Sequence, residues 1–206
     1  AEVSMDERNF LGRGQQVHLA VGGGLNQQSI NGSFTDPYFL GNHMSFTVSG
    51  YQLYSDASNA RPFKTTTSGG GVSFGLPITD NLSFDVNYKI NNIDAHDYRG
   101  TGVCGTDASA CFFPPGSRLT SSVGWGLTYS TLDSKLDPHE GIYFRFAQAF
   151  AGVGGDARFV RSQADARLYT PLMENSDMVG LLRVAGGNIT GLGQSVAPID
   201  DFFKGG

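Results

Sequence analysis

The sequence predicts an all-β fold, in which antiparallel strands form part of a transmembrane β-barrel. Three observations predict it: apolar and polar residues alternate strictly, the alternating segments approach ten residues, and the charges of a segment fall on one face. Alternation indicates strands because successive side chains leave a strand on opposite sides. About ten residues is the length that a tilted strand needs to cross a bilayer.

Residues 82–91 show the clearest alternation, and four further segments repeat it. Their apolar face carries Leu82, Phe84, Val86, Tyr88 and Ile90. The same pattern occurs in residues 43–54, around Trp125, from Gly141 onward, where Gln148 interrupts the apolar row, and in residues 158–169. This repetition predicts that the strands belong to a membrane β-barrel.

Residues 158–169 segregate their charges, with Arg161, Gln163, Asp165 and Arg167 on one face. A charge on the lipid face of a barrel costs a few kcal/mol near the midplane, whereas the lumen is wet. We therefore expect a charged lumen face. Its predicted members are Asp85, Lys89, Arg145, Arg161, Asp165, Arg167 and Arg183.

The predicted lumen charges admit three interpretations. They would tune the solutes that pass a porin, or anchor an inserted loop through charge-assisted hydrogen bonds. Alternatively they form a structural network between neighbouring strands, which is worth about 0.2 to 1 kcal/mol per pair. Alternation alone leaves these open.

Composition narrows the class of protein. Gly makes up 29 of the 206 residues, and charged residues make up 16%. The net charge is −5 and the pI is near 5.2. No basic patch stands out, which argues against nucleic acid as a partner. No apolar run reaches the roughly 20 residues of a transmembrane helix. The first residues lack a signal peptide, and residues 1–8 resemble the end of a strand. We expect a piece of a larger barrel.

Turn signals alternate between short and long connections, as in outer-membrane barrels, whose long loops face outside. The predicted short connections are residues 11–14, 36–42, 76–81, around 136–141, and 171–177. The predicted loops at the opposite end are 22–28, 55–63, 94–118, 151–157 and the tail from Gly191. A soluble β-sandwich is the alternative, because it also has loops of two lengths.

Cys104 and Cys111 flank a short polar stretch inside the 94–118 loop. Two close cysteines in such a loop predict a local disulfide formed in an oxidising compartment. Their spacing does not match a two-residue redox motif, and no histidine follows at zinc-finger distance.

Catalytic motifs are weak throughout. The four histidines show no metal-ligand spacing. Residues 152–157 (GVGGDA) match a dinucleotide fingerprint, but a strand pattern follows where a helix should begin. Asp200 and Asp201 are adjacent, so their side chains diverge. We expect neither an enzyme nor a bound cofactor or metal.

Particular strings resemble the BamA family of outer-membrane assembly barrels, in the bacterial surface antigen superfamily. They are ERNFLGRGQQV (7–17), SFTDPYFLGN (33–42), residues 128–144, residues 151–172 and IDDFFKGG (199–206). The resemblance covers nearly the whole chain in order, except the cysteine loop. It implies a sixteen-stranded barrel preceded by periplasmic POTRA domains. Residues 1–206 then run from the end of the second strand to the start of the sixth extracellular loop and contain about nine to ten of the strands.

The resemblance also implies a function and partners. The family folds and inserts outer-membrane proteins in the bacterial outer membrane, so the implied partners are nascent β-barrel proteins, accessory lipoproteins and lipid. The residues implied as lumen contacts for a returning loop are Arg145, Arg161, Asp165, Arg167 and Arg183. A TamA-like or two-partner secretion translocase is the closest alternative, followed by a passive porin and a soluble β-sandwich binding module.

Overall fold

Ten antiparallel strands form one sheet in chain order, each bonded to the next. The computed structural model describes residues 1–57, 63–97, 116–134, 136–173 and 178–193. The strands are β1 (Glu2–Phe10), β2 (Gln15–Gly23), β3 (Gln27–Asp36), β4 (Ser45–Ser55), β5 (Lys64–Pro77), β6 (Leu82–His96), β7 (Gly116–Ser130), β8 (Gly141–Gly155), β9 (Phe159–Pro171) and β10 (Val179–Gly191). A single continuous sheet confirms the predicted barrel architecture and excludes two stacked sheets for this part of the chain.

The cross-strand register carries the sequence alternation across the whole sheet. Asp85 pairs with Gly75 on one side and Gly126 on the other, whereas its neighbour Val86 pairs with Phe74 and Trp125. Because paired residues point to the same side of a sheet, polar residues collect on one side and apolar residues on the other. We call these the polar face and the apolar face.

The register also fixes the tilt of the strands. One row of partners joins Phe46, the second residue of β4, to Asn188, the tenth residue of β10. The chain therefore shifts by eight residues over six strand steps. At about 3.3 Å per residue and 4.8 Å per strand, this shift is a tilt of about 40°, which is typical of membrane barrels.

Hydrophobic burial is slight, because an apolar face that meets lipid needs no protein cover. Among the described residues one small buried cluster forms, from Ala151, Ala157 and Phe159 with Ile189 packed against it. Large residues of the apolar face remain exposed, Leu182 at 64% and Val184 at 66%. Within the same ranges, no helix is long and apolar enough to cross a membrane.

The connections are short at the end where β1 meets β2. Residues 11–14 turn the chain with Leu11, Gly12 and Gly14 at φ values of 54°, 72° and 70°, the left-handed region that favours glycine. Between β3 and β4 a single 3₁₀ turn places Phe39 on Phe46, with ring centroids 4.7 Å apart.

The strands at the opposite end reach further than the sequence indicated. β6 continues to His96 and β7 begins at Gly116, with Ala95 paired to Gly116. The first and last residues of the predicted 94–118 loop therefore belong to the paired strands β6 and β7. Cys104 and Cys111, the predicted disulfide pair, lie outside the described residues.

Candidate functional site: the polar wall and the apolar belt

All five residues predicted as lumen contacts lie on the polar face of β8, β9 and β10. The register joins Arg145 to Asp165, and Arg167 to Arg183. A concavity of about 610 Å³ opens on this face, with Asn87, Lys89, Arg145, Arg161 and Gln163 among its lining residues. The sheet therefore curves around its polar face, as the lumen side of a barrel does.

Three of the five residues meet in one ionic cluster. Asp165 accepts a 2.7 Å hydrogen bond from Nε of Arg167 and a 2.9 Å bond from Nε of Arg183. The Arg167 guanidinium also lies over the ring of Tyr143, 5.0 Å from its centroid. One carboxylate thus serves two guanidiniums, and the cluster carries a net positive charge.

Arg145 forms a different contact, which crosses an intervening strand. Its Nη2 lies 2.9 Å from Oδ1 of Asp85 on β6, and its Nη1 donates to Oγ1 of Thr128 at 2.8 Å. β7 runs between the two partners, and Gly126 is the residue beneath them. A Cβ on Gly126 would lie 2.7 Å from Oδ1 of Asp85 and 2.9 Å from Nη2 of Arg145. The ion pair therefore occupies the space that the glycine leaves.

A second side-chain contact also passes over a glycine of an intervening strand, two strands earlier in the sheet. Tyr51 on β4 donates its hydroxyl to Oδ1 of Asn91 on β6 at 3.0 Å, passing over Gly69 on β5. A Cβ on Gly69 would lie 2.9 Å from the Tyr51 hydroxyl. Sequence reasoning missed both glycines, although a signal existed: each occupies a polar-face position between strands that carry long polar side chains.

Arg161 stays apart from the ionic cluster. Its guanidinium lies over the ring of Phe159, 5.2 Å from the centroid. Phe159 is buried against Ala151 and Ala157, so the stacking fixes Arg161 on a rigid base. The five predicted residues therefore share one face but separate into three groups.

A histidine–aspartate pair on β1 and β2 was also not anticipated. Nδ1 of His18 on β2 lies 2.6 Å from Oδ1 of Asp6 on β1. Both residues lie on the polar face, where the register pairs them. Among the described residues, no group of three or more His, Cys, Asp or Glu side chains could hold a metal ion.

The turn between β7 and β8 is organised by a carboxylate. Oδ1 of Asp133 accepts the backbone N–H groups of His139 at 3.0 Å and Glu140 at 3.3 Å. The hydrogen bond from His139 is the main reason why the pKa of Asp133 lies below its usual value, because such bonds favour the charged form. Asp133 therefore holds this turn closed in its ionised state.

The apolar face forms a belt whose height varies from strand to strand. On β6 it runs without interruption from Leu82 to Ile90, which is nine residues. On β10 it covers seven residues, Gly180 to Gly186, before Asn188. On β2 it covers seven residues, Val17 to Gly23. At 3.4 Å per residue and a tilt of 40°, the belt is about 21 Å high on β6 and about 16 Å high on β2 and β10.

The apolar belt ends in polar residues on the side of the β8–β9 connection, and two of these residues are hydrogen-bonded to each other. Gln148 on β8 lies on the apolar face and donates from Nε2 to Oγ of Ser162 on β9, at 3.1 Å. The register places Asn188 of β10 opposite Ser162. The interruption at Gln148 seen in the sequence is thus part of a polar row that ends the belt on three adjacent strands.

Comparison with known proteins agrees with this geometry. The model of the Omp85 superfamily domain matches residues 9–206. The outer membrane protein assembly factor BamA of Neorickettsia risticii is 28% identical over 163 residues, covering 77% of this chain and 21% of the relative. The BamA of Nitratidesulfovibrio vulgaris is 26% identical over 203 residues, covering 97% of this chain and 24% of the relative. The chain thus spans about a quarter of the length of these relatives.

A solved structure shows the same fold. The crystal structure of BamA from Haemophilus ducreyi lacking POTRA domains 1–3 matches with a TM-score of 0.75 and 18% identity, covering 96% of this chain and 39% of that chain. The predicted family and the predicted barrel are both confirmed. The chain belongs to the Omp85 superfamily and forms a segment of an outer-membrane β-barrel.

Proposed function

We propose that the protein containing this chain folds and inserts β-barrel proteins into the bacterial outer membrane, and that the chain is part of its barrel wall. The BamA relatives are named outer membrane protein assembly factors, which supports this proposal. No covalent chemistry is required, and we propose that the protein is not an enzyme. Its partners would be nascent barrel proteins, accessory lipoproteins and the surrounding lipid.

The observation that carries the proposal is the taper of the apolar belt. The belt on β6 approaches the roughly 25 Å band of outer-membrane barrels, whereas the belts on β2 and β10 are about three quarters as high as the belt on β6. A short belt thins the adjoining bilayer at a cost of fractions of a kcal/mol per Å. Over about 10 Å of mismatch this amounts to a few kcal/mol. Lipid beside the low belts is therefore already deformed when a client strand arrives.

The ionic cluster supports a second element of the proposal, the anchoring of a loop that returns to the lumen. Arg167 and Arg183 share the single carboxylate of Asp165, so their remaining N–H groups can bind carbonyl or carboxylate oxygens of a loop. Charge reversal of Arg167 and Arg183 should loosen the loop, and normal assembly by that variant would contradict this element.

We also propose that the chain extends from the end of the second strand of the complete barrel through its eleventh strand.

The test of the taper is to raise the belt where it is low. Replacing Gln148, Ser162 and Asn188 by leucine in the full-length protein extends the apolar rows of β8, β9 and β10 upward. We expect the rate at which it inserts a client barrel into lipid vesicles to fall severalfold, because the bilayer beside these strands is no longer thinned. The matched control is Asn92→Leu, which extends the belt on β6, where it is already high.

The vesicle assay separates the outcomes. Heat-dependent mobility in detergent gels first shows that each variant forms its own barrel. If the triple variant folds and inserts clients as fast as the parent, the taper has no part in assembly. If Asn92→Leu slows insertion equally, the effect is one of general hydrophobicity, and the proposal also fails.

A further inference from the structure

A second concavity, of about 570 Å³, opens on the apolar face across β2, β3, β4 and β5. Gln52 and Tyr54 continue the alternation of Phe46 and Val48 along β4, which places them on this face. We call this concavity the belt-edge cavity. Its lining includes six side chains that the register sets in adjoining rows, namely Val21, Gln28, Ile30, Gln52, Tyr54 and Thr66. Its volume is typical of cavities that hold small molecules, which run from about 300 to 1,000 Å³.

The belt-edge cavity lies at the outer border of the apolar belt. Val21 and Ile30 belong to the belt, and beyond Ile30 the same face of β3 continues with Gln28. This end of the sheet carries the long connection from His96 to Gly116, whereas four residues join β1 to β2 at the opposite end. Long connections of outer-membrane barrels face outside. The cavity therefore adjoins the headgroups of the outer leaflet.

The polar part of the lining is uncharged. Among the described residues that line the cavity, the polar side chains are amides and hydroxyls, without a carboxylate or a cation. The side chains of Gln28, Gln52 and Thr66 form no hydrogen bond to another described residue. Lys64, two residues before Thr66 on β5, already pairs with Asp97, whose Oδ2 lies 3.2 Å from Nζ. The described lining therefore offers open hydrogen-bonding groups to a neutral ligand and no free positive charge to a phosphate.

Position and lining together select the class of ligand. A lipid of the outer leaflet presents its acyl chains beside Val21 and Ile30 and its headgroup beside Gln28 and Gln52. Amides without a partner are costly next to hydrocarbon, and the hydroxyls of a sugar can both donate to an amide and accept from it. A phosphate is bound best by arginine or lysine, which the described lining lacks. These features favour a lipid whose headgroup is a neutral sugar.

We propose that the belt-edge cavity binds the uncharged sugar headgroup of a glycolipid in the outer leaflet. The amides of Gln28 and Gln52 exchange hydrogen bonds with the sugar hydroxyls, and the ring of Tyr54 packs against the C–H face of the sugar. An acyl chain of the same lipid runs over Val21 and Ile30. The proposal depends on the barrel fold in the outer membrane and not on assembly activity. A failure of the vesicle test above leaves it standing, and a failure of the test below leaves the proposed function standing.

The test measures lipid binding to the full-length protein by native mass spectrometry, in micelles of tetraethylene glycol monooctyl ether, a detergent without a sugar. The probes are digalactosyl diacylglycerol, phosphatidylglycerol and diacylglycerol, all with the same acyl chains. Because the amides reach hydrogen-bonding partners only on the sugar, we expect the glycolipid to bind at least about fivefold more tightly than the other two. Phosphatidylglycerol bound as tightly as the glycolipid would overturn the proposal. Diacylglycerol bound as tightly would overturn it too, since the acyl chains alone would then explain the binding.

Variants locate the site. Gln28→Leu and Gln52→Leu should each weaken glycolipid binding about three- to tenfold, because each removes the hydrogen bonds of one amide. Gly23 also lines the cavity, and a Cβ there meets no atom within 4 Å, so Gly23→Trp can fill the cavity and should weaken binding more. Gln148→Leu is the matched control, because it makes the same chemical change on the apolar face of β8, and it should leave binding unchanged.

The amide variants keep the test decisive. The Gln52 side chain is exposed and bonds to no other described residue, so Gln52→Leu reports on the site even if Gly23→Trp does not fold. Glycolipid binding that is unchanged in both amide variants, or that falls equally in Gln148→Leu, would contradict the assignment to this cavity.

Discussion

Replacing Gly126 by alanine should uncouple an ion pair that bridges two non-adjacent strands. The added Cβ would lie 2.7 Å from Oδ1 of Asp85 and 2.9 Å from Nη2 of Arg145. Both atoms end flexible side chains, so they can move aside without backbone strain. The consequence is the loss of the 2.9 Å contact between Asp85 and Arg145.

The size of the effect follows from exposure and backbone entropy. The Arg145 side chain is 39% exposed and that of Asp85 is 26% exposed, so solvent screens the pair, and we expect about 1 kcal/mol from it. Alanine in a strand gains roughly 0.5 kcal/mol over glycine, because the unfolded chain loses freedom. The net destabilisation by Gly126→Ala should therefore be only about 0.5 kcal/mol.

A double-mutant cycle resolves so small a net effect. The free energy of unfolding of the full-length protein is measured by urea titration in lipid vesicles, for Gly126→Ala alone, for Asp85→Ala alone and for both. In the Asp85→Ala background, Gly126→Ala should become stabilising by about 0.5 kcal/mol, which gives a coupling of about 1 kcal/mol.

A glycine with open space above it should show no coupling to Asp85. Gly50→Ala is the matched control, because a Cβ there meets only the carbonyl oxygen of Gly69 at an ordinary 3.8 Å. It should show no coupling to Asp85. If Gly126→Ala costs the same with and without Asp85, the ion pair does not depend on the space above Gly126, and the reasoning is refuted.

Three further predictions concern the ionic cluster and the turns. Asp165→Asn should lower the free energy of unfolding, measured by urea titration, by about 1 to 3 kcal/mol, because two guanidiniums lose their shared carboxylate. Arg183→Gln should cost less in the same measurement. The pKa of Asp133 is lowered in the folded state, so its stabilisation is present above the ordinary carboxyl pKa and is lost as pH falls through the folded value. Asp133→Asn should abolish this acid dependence below about pH 4, and a stability curve unchanged by it would contradict the turn's role. Phe39→Ala should cost about 3 kcal/mol at most, because Phe39 is only half-buried against the rings of Phe46 and Phe74.

The strands could be predicted because their signal is local. Alternation along Leu82 to Ile90 assigns both the strand and its two faces, since side-chain direction has a period of two residues. The extent of β6 to His96 could not be predicted in this way. Its last residues are held by pairing with β7, as Ala95 is with Gly116, and pairing with a distant segment leaves no periodic trace.

The site could be predicted only as a face. Alternation predicts Arg145, Arg161 and Asp165 on one side of the sheet, and the register places all three on the polar face. It could not show that Arg145 turns to Asp85 on β6 instead of to Asp165, its direct partner on β9. That choice depends on Asp165 being already occupied by two other arginines and on the open space above Gly126.

Glycine on the polar face is what turns neighbouring strands into a connected wall. A side chain at Gly126 or Gly69 would confine each polar residue to its adjacent strand. Without one, Arg145 reaches from β8 to β6, and Tyr51 reaches from β4 to β6. These bridges resist sliding of strands past each other, because a shift of one residue would place a side chain from the other face under each contact. The polar wall therefore holds its register with side chains, while the apolar belt remains free to vary in height from strand to strand. The proposed deformation of lipid without loss of strand pairing would use both properties.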